Sequence, residues 1–133
     1  AFTCPLLAKM PAKILIVDDE ATVAESIRGI LASLGYEVTA AVGTGAAALA
    51  AVAACRPDLA LVDLGLAGDR DGIELAEHLR ARHGLPVVFT GHDLPLQGAV
   101  DLIRQGAIDF LDKPFPQSRL LDLLERFAKR QNG

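Results

Sequence analysis

Ile14-Leu15-Ile16-Val17-Asp18-Asp19 is the stretch that decides the fold: four apolar residues stop abruptly at two carboxylates. Leu59-Ala60-Leu61-Val62-Asp63 repeats the pattern, and Ile108-Asp109-Phe110-Leu111 leads to Lys113-Pro114. Short apolar runs without polar alternation read as strands buried on both faces, as in parallel sheets. Laid parallel, their carboxyl ends gather three carboxylates and one ammonium into one patch. Such a patch is poor for stability and well suited to a cation and a phosphate.

Helical patterns alternate with strands on either side of these runs. Val23, Ile27, Ile30, Leu31 and Leu34 recur at helical spacing across 20–34, and Gly35 supplies the stop. Residues 36–42 return to strand character. Thr44 then caps an Ala-rich helix reaching about Cys55, and Pro57 precedes a strand over 58–62. A loop with Gly65, Gly68 and Gly72 opens a helix over about 72–82, with Ile73, Ala76 and Leu79 inward.

Val87-Val88-Phe89-Thr90 forms a fourth strand, and Leu96, Val100 and Ile103 mark a shorter helix stopped by Gly106. The fifth strand covers about 107–111, and a last helix after Pro114 and Pro116 sets Leu120, Leu123, Leu124 and Phe127 on one face. Five such repeats predict an α/β fold with a five-stranded parallel sheet, order 2-1-3-4-5, and helices on both faces, flavodoxin-like. In that order strands one and three are neighbours where the winding reverses, and ligands bind beyond their carboxyl ends.

At 133 residues the chain suits one domain with one core. A net charge of -4 argues against wholesale binding to a nucleic-acid backbone, and Arg126, Lys129 and Arg130 are read as cations at a helix C-terminus. Cys4 and Cys55 have neither metal-type spacing nor a redox pair, which points to a reducing cytoplasm. No apolar run reaches the length of a membrane span. Residues 1–12 precede or adjoin the single methionine, Met10, and are read as a fusion remnant or N-terminal extension; 13–130 are the domain.

Convergent carboxylates repel one another unless a cation is present. Mg²⁺ fits: it takes oxygen ligands and is held by one or two carboxylates plus a phosphate. Asp19 and Asp63 could each give an oxygen, with Asp18 acting through water, while Lys113 and the Thr90 hydroxyl suit phosphoryl oxygens. A carboxylate can itself attack phosphorus, and Asp63, ending a central strand, is the candidate nucleophile. Each residue also has an ordinary role: Asp18 as a helix cap, Asp63 in a turn, Thr90 as a strand former, Lys113 as a solvated cation.

The chain resembles the receiver domain of bacterial two-component response regulators, the CheY-like family. The matching segments are Ile14 to Glu20, Leu61-Val62-Asp63-Leu64-Gly65-Leu66, Val87-Val88-Phe89-Thr90-Gly91, and Gly106 to Phe115. The resemblance implies a regulatory phosphoacceptor, not a conventional enzyme: Asp63 receives a phosphoryl group from a sensor histidine kinase or phosphotransfer protein. It implies Mg²⁺ held by Asp18, Asp19, Asp63 and the Gly65 carbonyl, Lys113 on the phosphoryl group, and Thr90 and Phe110 as switch residues. A cis Lys113–Pro114 bond belongs to the same pattern.

The implied partners are the kinase and a downstream effector or attached output domain, without direct nucleic-acid or membrane contact. A homodimer through the fourth helix, fifth strand and fifth helix is compatible with it. Leu94, Leu96 and Phe115 are candidates for the partner-facing surface.

Departures from the family are Ala67 in place of a frequent proline, a long Gly68-Asp69-Arg70-Asp71-Gly72 loop with Asp71 read as a cap, and Phe110 for a common tyrosine. Gly91 replaces a frequent alanine and is expected to keep the site open, and His92 stands where the family tunes dephosphorylation. The chief alternative is a receiver-fold interaction module that works without phosphorylation. A flavin or nucleotide carrier ranks last, because Asp18-Asp19-Glu20 has the wrong charge for a phosphate cradle.

Overall fold

Strands are fully buried where the sequence is continuously apolar. The computed structural model describes residues 12–66, 72–92 and 95–132. Within them, β1 (Lys13–Val17), β3 (Leu59–Asp63) and β4 (Val87–Gly91) are buried at every position. The edge strands β2 (Glu37–Val42) and β5 (Asp109–Asp112) are not. All pairings are parallel and the order is β2-β1-β3-β4-β5, as the repeat pattern predicts.

Alternate residues of each strand feed two cores. Ile14, Ile16, Leu59, Leu61, Val88 and Leu111 face one side, where α1 (Ala21–Ser33) and α5 (Gln117–Asn132) close over them. Leu15, Val17, Ala60, Val62, Val87 and Phe89 face the other, under α2 (Gly45–Ala54), α3 (Gly72–His83) and α4 (Leu96–Arg104). This two-sided burial is why the strands lack polar alternation.

Local signals hold where they rest on backbone chemistry. Thr44 caps α2, its Oγ1 accepting the Ala47 N–H at 3.1 Å. Gly35 has φ +89 and closes α1, with the Tyr36 N–H reaching back to the Leu31 carbonyl at 2.9 Å. Where β1 and β2 shift register, Thr39 Oγ1 donates to the Ile14 carbonyl at 3.4 Å.

One inward assignment is corrected. Ile73 is 40% exposed, because α3 turns the stripe Gly72, Leu75, Ala76 and Leu79 to the sheet and Ile73 lies beside it. In α4 only Leu102 is buried; Leu96 is 81% and Ile103 45% exposed. Phe115 packs against the α1–α5 core while bordering a surface cleft. Residues 1–11, the 67–71 loop with Ala67, Gly68, Asp69, Arg70 and Asp71, Leu94, and the Arg130 side chain lie outside the described residues, and with them the readings of Cys4 and of the Asp71 cap.

Candidate functional site

The site is built from backbone register before any side chain is considered. Asp63 ends β3 and pairs with Thr90 in β4, while Gly91 pairs with Asp112 in β5. Two further hydrogen bonds carry the ladder past the strand ends: Leu64 N–H to the Thr90 carbonyl at 2.9 Å and Lys113 N–H to the Gly91 carbonyl at 2.7 Å. Asp18 leaves β1 with its N–H on the Val42 carbonyl at 2.9 Å. The carboxyl ends of four strands are thereby fixed side by side.

Onto that frame the sequence places buried charge. Asp18, Asp63, Thr90 and Lys113 are all buried, whereas Asp19 is exposed. Lys113 Nζ lies 2.6 Å from Asp18 Oδ2 and 3.4 Å from Asp63 Oδ1. A buried ammonium between two buried carboxylates is a compensated arrangement; any one of the three alone would carry a heavy desolvation cost. The solvated role for Lys113 is thus corrected.

Backbone N–H groups hold both carboxylates as well. Asp18 Oδ1 accepts the Glu20 N–H at 2.9 Å, although Glu20, not Asp18, stands at the N-cap position of α1. Asp63 Oδ1 accepts the Gly65 N–H at 3.0 Å, a turn contact of the kind its ordinary role foresees. Both acids therefore combine their local backbone role with the shared cluster.

One oxygen from each of Asp18, Asp19 and Asp63 lies within 4.8 Å of the others. An octahedral ion with bonds of about 2.1 Å sets its ligand oxygens about 3 to 4 Å apart, so small adjustments suit this set to Mg²⁺. The donors are hard oxygens, and among the described residues no other acidic, His or Cys cluster of this size exists. Asp19, Glu20, Asp63, Leu64, Gly65, Gly91 and His92 line an open cleft above the cluster. His92 is exposed at its rim.

The Lys113–Pro114 bond is cis. Phe110 is half-buried, and its ring lies beside Gly91, where an added Cβ would stand 3.4 and 3.5 Å from Cε1 and Cζ. The backbone of Gly91 borders the cleft, and an added Cβ would meet Phe110 and Leu64 at ordinary contact distance.

Residues 14–125 match the family model of the response regulator receiver domain. The chain belongs to that family. It is 40% identical over 119 residues to the nitrogen assimilation regulatory protein NtrX of Azorhizobium caulinodans, covering 88% of this chain and 26% of that protein. It is 39% identical over 123 residues to the DNA-binding response regulator MtrA of Mycobacterium tuberculosis, covering 92% and 53%. The chemotaxis protein CheY of Listeria monocytogenes is 33% identical over 118 residues, with 88% and 98% covered.

Among solved structures, the receiver domain of NtrX from Brucella abortus superposes with a TM-score of 0.81 at 37% identity, covering 87% of this chain and 98% of that one. This receiver domain thus spans about a quarter of its NtrX relative and about half of MtrA.

Two contributors to the site escaped sequence reasoning. Gly72, at the start of α3, packs against the Asp63 backbone, and Arg119 Nη2 reaches from α5 to Asp109 Oδ2 at 3.3 Å and to the Phe110 carbonyl at 3.3 Å. Neither residue type announces such a contact. Spacing from Asp63 to Gly72 crosses a loop, and one arginine on an amphipathic helix looks like any other.

Proposed function

We propose that residues 13–130 form a phosphorylation-operated switch in which Asp63 accepts a phosphoryl group from a histidine kinase or phosphotransfer protein. The observation that carries this reading is the buried ammonium of Lys113 shared between Asp18 and Asp63. Three strands converge to hold it, at a cleft open to solvent. Structural ion pairs have no need of an unburied third carboxylate beside such an opening.

In the proposed reaction a carboxylate oxygen of Asp63 bonds to phosphorus as the donor's P–N bond breaks, and the departing imidazole takes a proton from water. Asp63 is pre-aimed by the Gly65 N–H on Oδ1. Lys113 neutralises negative charge gathering on the phosphoryl oxygens, and Thr90 offers a hydroxyl from the neighbouring strand end. Mg²⁺, held by Asp18, Asp19, Asp63 and the Gly65 carbonyl, would supply further charge neutralisation when bound. The chain catalyses its own phosphorylation and dephosphorylation and nothing else.

The readout rests on Thr90 and Phe110, whose movement would reposition α4, β5 and α5. A ligand shifts such an equilibrium only by its preference for one state. The exposed Leu96 and Ile103 and the groove of Ile108, Leu123 and Phe127 suit an effector, an output domain or a second copy. No helix among the described residues is long and apolar enough to cross a membrane. A histidine-kinase partner of the receiver family would place this domain in the cytoplasm.

The test is labelling by a small phosphodonor with and without Mg²⁺. Labelling should need the ion and vanish in Asp63→Asn, while Asp19→Asn should weaken Mg²⁺ binding by about tenfold or more, equivalent to about 1.4 kcal/mol. A label that persists in Asp63→Asn sinks the assignment. An unlabelled protein without measurable Mg²⁺ affinity supports the phosphorylation-independent module instead.

A further inference from the structure

Gly72 begins α3 and is buried. A Cβ added there would stand 2.4 Å from the Asp63 carbonyl oxygen, 3.1 Å from Leu64 Cα and 3.2 Å from the Asp63 carbonyl carbon. All three are backbone atoms, so no side-chain rotation can make room. Positive φ is confined to Gly35, Gly84 and Gly106 among the described glycines, so glycine is needed at 72 for space and not for backbone conformation. By contrast, an added Cβ at Gly29 would find nothing within 4 Å, and one at Gly43 would come no nearer to backbone than 3.5 Å.

The peptide that Gly72 touches is held by two backbone hydrogen bonds. The Asp63 carbonyl also accepts the Leu66 N–H at 3.3 Å, and the Leu64 N–H is tied to the Thr90 carbonyl at 2.9 Å. α3 cannot retreat freely, because Leu75, Ala76 and Leu79 are pressed into the sheet without exposure. A side chain at 72 therefore either tilts the helix or rotates the Asp63 peptide. Rotation moves the carboxylate relative to Lys113 Nζ, now 3.4 Å from Oδ1, and to the Gly65 N–H at 3.0 Å.

We infer that Gly72 is a positioning residue for phosphoryl acceptance: its bare Cα lets α3 seat against the Asp63 carbonyl and so fixes the direction of the reacting carboxylate. The inference rests on Asp63 being the phosphoacceptor. It predicts a loss of rate, since misplacement by about 1 Å can cost about 100-fold in a reaction that depends on alignment.

The experiment follows labelling of the full chain by a small phosphodonor at saturating Mg²⁺, alongside thermal melts. Gly72→Ala should fold and label about 10- to 100-fold more slowly. Gly29→Ala should label like the parent. Leu79→Ala, which loosens the same helix from its far end, should lower Tm yet leave the rate per folded molecule unchanged. Parental labelling by Gly72→Ala overturns the inference. So does an equal slowing in Leu79→Ala, because the loss would then follow from any loosening of α3.

Failure of Gly72→Ala to fold, seen as the loss of its thermal transition, also overturns the inference, because the glycine would then be needed for the fold and not for the direction of the Asp63 carboxylate. Failure of the parent chain to label is a separate result, which removes the phosphoacceptor reading itself.

Discussion

α3 and α4 follow one another in sequence and cover the same face of the sheet, yet they are held to it in different ways. α3 buries Gly72, Leu75, Ala76 and Leu79, and its first residue touches the Asp63 backbone. α4 buries Leu102 alone and begins at Pro95 without a side-chain cap. The strand next to it, β5, is an edge strand with one buried position. Opening free energy follows buried apolar contact, so the region beside Asp63 is held more firmly than the region beside Phe110. The proposed switch would use both: a rigid frame that aligns the chemistry and a weakly held element whose equilibrium the chemistry can bias.

The largest expected effect probes the frame. Lys113→Met leaves Asp18 and Asp63 facing each other without a cation, and should cost about 3–5 kcal/mol in urea unfolding without metal. Mg²⁺ should recover part of that loss, and a metal-independent loss would show that charge is not its cause. Next, Leu79→Ala in α3 should cost about 2–5 kcal/mol, while Leu96→Ala in α4 should stay within about 0.5 kcal/mol. Equal costs would break the contrast between the two helices.

A smaller effect concerns the one described tie between them. Arg80 Nη2 in α3 donates to the Gln105 carbonyl at 3.2 Å, just past the end of α4. Arg80→Met should cost about 1 kcal/mol and speed hydrogen exchange in α4 amides with little change in α3. Uniform acceleration in both helices would instead mean that they open as one unit.

The smallest effect lies far from both helices and serves as a control on the frame. Burial, and then the nearby Glu125 carboxylate, hold the Tyr36 phenol above its usual pKa of 10.0. The unfolded chain then loses that proton before the folded chain does, so its contribution is intact below pH 10 and falls as pH rises beyond it. Tyr36 is the single tyrosine, so its absorbance titration reads the shift directly, and Tyr36→Phe should abolish that part of the alkaline decline.

Legibility followed the range of the interaction. β1, β3 and β4 were readable because both their faces are buried and nearly every residue must be apolar. The Thr44 cap and the Gly35 stop were readable because each acts within a few residues of itself. Ile73 was misjudged because hydrophobicity gives a periodicity but not the width of the stripe the sheet will cover. Gly72 was passed over as one loop glycine among three, since its neighbour is a backbone carbonyl nine positions back.

The order of apolar runs, breakers and terminal charges determined the parallel sheet, its winding and the convergence of Asp18, Asp63 and Lys113, because strand direction and crossover handedness leave few alternatives. Only the tertiary structure decided that Lys113 lies buried between the two acids, that the Phe110 ring lies beside Gly91, and that α3 rests on the Asp63 peptide. Those are distances between segments far apart along the chain. They are set by how closely the packed layers approach, a quantity that no local pattern of residues encodes.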